Sequence, residues 1–234
     1  MEPAGSRRYC ASTHREIRQN LCPRFLGPRK HRQHNGTPRH CESPACDKVD
    51  RVTPSHDVSD LRPTPWSDTT AAPGDLRAAK ALVYDPCGFV CTQPIAEPES
   101  AAYAAHEFTL DGRGVRFRVA RTTPTKVGQF VTVWKRSAAG PIAPFDTTDP
   151  IDLFVISTRE DQHFGQFVFP AAALRHQGVL STNGSGGKRA FRVYPPWVTT
   201  TSRQADRTQT WQLNYFLDLH QPVDTARARA LYHS

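Results

Sequence analysis

The segment Ile151-Asp-Leu-Phe-Val-Ile156 constrains this chain more than any other stretch of it. A nearly unbroken apolar run of strand length fits a central strand buried on both faces, so the sheet that holds it must be covered on two sides. The flanking segments supply the rest of a sheet. Residues 106–110 lead through Asp111-Gly-Arg-Gly114 into 115–121, a hairpin whose second strand turns Val115, Phe117 and Val119 one way and Arg116, Arg118 and Arg121 toward a cationic side. Gln129-Phe-Val-Thr-Val-Trp-Lys135, Gln166-Phe-Val-Phe169 before Pro170, and Phe191-Arg-Val-Tyr194 add three more strands. Helices are expected from an Asp75 cap to Pro86, over 171–177 with Gly178 at its end, and after a Ser202 cap, where Ala205, Thr208, Trp211 and Tyr215 recur at spacings of three and four. The order of helix, strands and helix predicts an α/β (α+β) fold with a mixed five- to six-stranded sheet flanked by helices.

Composition divides the chain ahead of this domain. Residues 1–72 combine Pro, Arg, His, Ser and Thr with few aliphatic side chains, too little apolar surface to offset chain entropy of about 1 to 2 kcal/mol per residue. They are expected to form a disordered leader, with the domain over 75–220 and a flexible tail over 221–234. Cys10, Cys22, Cys41 and Cys46 lie among histidines in the leader, but no second cysteine pair at regular spacing completes a zinc site. Met1 is the single methionine, so a translation start after the leader would need a GTG or TTG codon. The formal charge of +8, from 30 Lys+Arg against 22 Asp+Glu, suggests a polyanionic partner, although about half of the excess falls in the leader. With no apolar run long enough for a membrane span and no signal peptide, the chain is expected to be cytoplasmic, away from membranes, with reduced thiols.

Seven separated motifs give the domain a family resemblance. They are Phe117-Arg-Val-Ala-Arg-Thr-Thr-Pro-Thr-Lys126-Val-Gly-Gln-Phe-Val131, Trp134-Lys-Arg136, Asp149-Pro-Ile-Asp-Leu-Phe-Val-Ile156, Phe164-Gly-Gln-Phe-Val-Phe-Pro170, Gly187-Lys-Arg189, Arg192-Val-Tyr-Pro195 and Gln209-Thr-Trp-Gln212. Over about 75–219 the chain resembles the MepB-like family. That resemblance implies a restriction-endonuclease-like core and, with it, metal-dependent phosphodiester hydrolysis of nucleic acid, DNA in the first instance. It also implies an alternative, a non-catalytic accessory protein on the same fold, associated with an efflux operon. The leader has no counterpart in the family.

Nuclease chemistry needs acids that hold Mg²⁺ and a lysine near the attacking water. Asp149 and Asp152, at the mouth of the central strand, resemble the first acidic position, and Glu99 would add a third ligand. Lys126 and Lys135 flank the strand that carries Gln129. No Glu-x-Lys or Asp-x-Lys follows on a later strand, and Gln129 and Gln166 stand where an acid is expected. A carboxamide brings no charge to a metal, so the site is either remodelled or inactive. Arg116, Arg118, Arg136, Lys188, Arg189 and Arg192 are the candidates for phosphate contact, Lys188 and Arg189 directly after the glycine loop Asn183-Gly-Ser-Gly-Gly187. Thr122-Thr-Pro-Thr-Lys126 lacks the spacing of a Walker loop. Trp134, Trp197 and Trp211 are expected in the core, the histidines in structural or surface roles, and Gln209 and Gln212 either as donors to a ligand or as solvent-exposed residues.

Overall fold

The computed structural model describes residue 66 and residues 72–136, 140–220 and 222–234. Its main sheet has six strands in the order β1-β2-β3-β8-β9-β11. These are β1 (Ile95–Ala96), β2 (His106–Leu110), β3 (Arg113–Val119), β8 (Leu153–Glu160), β9 (His163–Pro170) and β11 (Phe216–Asp218). Between β3 and β8 the chain leaves the sheet to form β4 (Arg121–Thr123), β5 (Lys126–Thr132), β6 (Trp134–Arg136) and β7 (Ile142–Pro144). Strands β4 and β5 join β10 (Ala190–Val193) in a second sheet ordered β10-β5-β4. Because of that excursion β3 and β8 run parallel, with Phe117 opposite Val155, while the other pairs in the main sheet are antiparallel. The mixed sheet and the α+β class expected from the sequence are both present.

The central strand carries the architecture. Leu153 and Val155 enter one hydrophobic core, and Phe154 and Ile156 enter the other. All four are fully buried, as the alternation of a strand covered on both faces requires. One core is closed by α1 (Gly74–Ala79), α2 (Asp85–Cys87) and α5 (Thr225–Tyr232), which contribute Leu76, Cys87, Ala228 and Leu231. The other lies beneath the second sheet, α3 (Ala171–His176) and α4 (Arg203–Leu213).

Local details depart from the sequence reading in three places. Asp75 does not cap α1. Its carboxylate accepts from Ser157 Oγ at 2.9 Å and Arg159 Nε at 2.7 Å, which ties the helix to β8. The helix also continues past Pro86, through a π turn over Lys80–Tyr84 whose wider hydrogen bonds accommodate a residue without an N–H. The hairpin turn between β2 and β3 is tighter than expected, two residues with Asp111 at φ 50° and Gly112 at φ 79°, a pair of left-handed positions that suits the strand twist.

Both ends of the domain extend further than the composition indicated. Trp66, placed in the leader by composition, is 4 % exposed and packs edge-on against Phe108 at 6.3 Å. The four leader cysteines and the disorder expected around them lie outside the described residues. The tail expected to be flexible instead folds as α5, capped by Asp224, which accepts from Arg227 N at 2.9 Å. Tyr232 is fully buried, and its hydroxyl donates to Gln166 Oε1 at 3.0 Å. Arg113 then holds the last turn through the carbonyls of Tyr232 and Ser234 at 2.7 and 2.6 Å. Only Ala228, Leu231 and Tyr232 of this short helix are buried, so its contribution to the core rests on three side chains that composition did not single out.

Candidate nucleic-acid interface

Three of the candidate cations, Lys126, Lys188 and Arg192, gather where β10 meets the turn between β4 and β5. Pairing of Val193 with Gln129 and of Ala190 with Thr132 sets β10 alongside β5. Close packing here requires Gly128, which sits at φ +79° and where a Cβ would lie 2.6 Å from the Tyr194 ring. Gln212, fully buried, locks α4 onto the same strand: its Oε1 accepts from Tyr194 N and its Nε2 donates to Arg192 O, both at 2.9 Å. Gln209 donates to the carbonyls of Pro195 and Val198 at 3.0 and 2.8 Å. Both glutamines therefore build the scaffold.

Arg192 has a positioning role. Its guanidinium donates to Gly128 O at 2.9 Å, Lys126 O at 3.2 Å and Thr123 Oγ1 at 2.6 Å, and lies over the Phe130 ring at 5.7 Å. These contacts hold the turn from which Lys126 projects. Lys126 and Lys188, both exposed, border a cleft of about 400 Å³ with Arg192, Tyr194, Thr208 and Trp211. No carboxylate is among its lining residues. Its field is thus of one sign, and hydroxyls and rings lie beside the two ammonium groups.

The glycine loop that delivers Lys188 is anchored from β7. Asp146, just after that strand, accepts from Gly184 N at 2.9 Å, Ser181 Oγ at 2.7 Å, and Thr148 N and Oγ1 at 3.1 and 3.0 Å. These donors, led by the Gly184 amide, hold its carboxyl well below the usual carboxylate range. Gly187, at φ +79°, meets Pro144 closely enough that a Cβ would come within 2.7 Å.

The remaining predicted site residues do not assemble as expected. Lys135 and Asp149 form an ion pair, and Asp149 Oδ2 also accepts from Asp146 N at 2.7 Å. They share a cleft of about 290 Å³ with Glu99, Arg116 and Arg136. Here the cations and acids are largely matched: Arg116 pairs with Glu97 and Glu107. Arg118, expected on a cationic face, has no solvent-exposed side-chain surface and is bound by Glu97, the acid whose role the sequence did not indicate. Arg189 is exposed, and its carbonyl accepts from Val133 N at 2.9 Å.

A magnesium site does not fit these residues. Asp152 is exposed and accepts from Gly114 N at 2.8 Å, closing the end of β3. Asp149 is committed to Lys135 and the Asp146 amide, and Glu99 is exposed on the 3₁₀ segment Pro98–Tyr103. Among the described residues no three His, Cys, Asp or Glu side chains lie together in a metal-binding group. Gln166 is fully buried against Tyr232, and Gln129 lines a different cleft from Lys135. Gln166, with no exposed surface, therefore does not join the cleft that Asp149 and Lys135 share.

No helix among the described residues is long and apolar enough to cross a membrane. No curated protein matches the chain. A solved structure, the crystal structure of MepB, is similar at 33% identity over 56% of this chain and 88% of that one, with a TM-score of 0.54. The MepB-like family matches residues 97–218, the stretch from the acid that holds Arg118 to the end of β11, just over half of the chain. This chain belongs to the MepB-like family.

Proposed function

We propose that the protein is a cytoplasmic nucleic-acid-binding member of its family, a binding rather than hydrolytic version of the restriction-endonuclease-like module that the resemblance implies. The observation that carries the reading is the cleft between β10, α4 and the β4–β5 turn. Two exposed lysines border it, an arginine braces the turn beneath one of them, and no acid lies among its lining residues. Phosphate oxygens are the natural complement of that surface, and DNA is the favoured source. The acids support binding without hydrolysis, since their carboxylates serve ion pairs and backbone amides.

Fluorescence anisotropy with a labelled DNA oligonucleotide across a salt series tests this. Log affinity falls linearly with log salt, and each of Lys126→Ala and Lys188→Ala lowers the slope by about one. Absent binding at low salt, or salt-independent binding, overturns the reading. Supercoiled plasmid incubated with the protein and Mg²⁺ is expected to remain intact. Cleavage abolished by Asp149→Ala or Asp152→Ala would restore the hydrolytic alternative.

A further inference from the structure

We propose that a second cleft, which shares Lys126 with the first, binds the base of an unpaired nucleotide. The inference rests on the nucleic-acid reading above and names what that reading leaves open, the part of the nucleotide that is recognised. This cleft has a volume of about 420 Å³, and Lys126, Gln129, Glu160, Asp161, His163 and Trp197 are among its lining residues. That volume lies in the range of small-molecule sites and is sufficient for a nucleoside.

Three features of its walls point to a heteroaromatic ligand. Gln129 is 2 % exposed, and its Nε2 donates to Arg159 O at 2.7 Å, but its buried Oε1 has no partner within the protein. The buried Nε1 of Trp197 likewise has none. Buried polar atoms without partners are costly and uncommon in folded proteins. Here an acceptor and a donor occur on residues of one cleft. The third feature is a ring stack: His163, exposed at the start of β9, lies 4.9 Å from the Trp197 ring at an interplanar angle of 11°. Phe216 meets Trp197 at 5.6 Å and 75°, bracing the indole.

A base offers a chemical complement to all three. Its edge presents donors and acceptors side by side, and its face stacks on aromatic rings. A peptide amide would supply the donor and acceptor but no ring. Lys126 then accounts for the phosphate. Glu160 and Asp161, both exposed, oppose phosphate on their side of the cleft and favour a base that carries an amino group, with its phosphate toward Lys126 and the first cleft.

Isothermal titration of the full chain with CMP, AMP, a mixed-sequence single strand and the matching duplex tests the assignment. Trp197→Phe keeps a ring and removes the donor, while His163→Ala removes the exposed half of the stack. Thermal melting confirms that each variant is folded, and His163→Ala carries the test if Trp197→Phe is not. The expected result is binding of a monophosphate or the single strand, preferred over the duplex and weakened roughly fivefold or more in the variants. A monophosphate that binds where the strand does not identifies free nucleotide as the source, and the reverse identifies a strand. Unchanged affinity in the folded variants, or preference for the duplex, overturns the base site. If salt-dependent binding persists while the variants have no effect, the base site falls and the phosphate reading stands. If neither oligonucleotide binds at low salt but a monophosphate binds in a variant-sensitive way, the phosphate reading falls and the base site stands.

Discussion

Arg118 donates to both carboxylate oxygens of Glu97, and its side chain is wholly removed from solvent. The pair joins the C-terminal end of β3 to the residue that enters the 3₁₀ segment Pro98–Tyr103, and Arg116 reaches the same carboxylate at 2.9 Å. An arginine on a strand next to the central one, read from sequence as a phosphate contact, is here an internal fastener.

Removing one partner of a buried ion pair leaves the other charge uncompensated. Glu97→Gln is therefore expected to lower unfolding stability by about 3 to 5 kcal/mol. Urea denaturation of the full chain measures it. A change within that of a surface substitution, about 0.5 kcal/mol, would show that the pair does not hold the fold.

Asp146 predicts an acid response confined to the glycine loop. Its folded carboxyl titrates below its ordinary value of 3.8, because the Gly184 amide and the Ser181 and Thr148 groups stabilise the anion. The contribution is thus complete above that pH and is lost as acid carries the group down through its lower folded value. Asp146→Asn should speed amide exchange at Gly184 at pH 6, with the gap between variant and parent closing only below pH 3.8. A gap that persists unchanged in stronger acid would contradict the assignment.

Tyr232 couples the C-terminal helix to the sheet. Tyr232→Phe keeps the ring packed 5.4 Å from Tyr84 but withdraws the donor from Gln166 Oε1, inside a fully buried environment. A loss of about 1 to 3 kcal/mol is expected in the same denaturation measurement. Deleting residues 225–234 should have a larger effect, since Ala228, Leu231 and Tyr232 all leave the core. A truncated chain as stable as the parent would restore the flexible-tail expectation.

Cys91 should be inert in the native state. Burial pushes its thiol up to about 12, so almost no thiolate exists near neutrality. Mass mapping after maleimide treatment at pH 8 should find Cys91 unmodified until denaturant is added. Rapid native labelling there would place that core in a more open state.

The family, the strand order along the chain and the two-sided burial of 151–156 were legible in the sequence because each rests on local pattern. Alternation and apolar runs report which faces of a strand are covered, and motifs in order identify a family. The functions of individual polar side chains were not legible, because they depend on partners far away in the chain. Arg118 and Arg192 look alike as basic residues on strands, yet one is neutralised by Glu97 and the other braces the turn beneath Lys126. Asp149 and Asp152 match the acids of a metal site in type and position, but their carboxylates are used by Lys135 and by backbone amides. Trp197 and His163, 34 residues apart, meet because the loop after β10 passes the start of β9. Local chemistry determined which elements this chain could form, and the tertiary structure alone decided which charges were neutralised inside and which were left facing solvent, because ion pairing and desolvation are set by distance in space rather than along the chain.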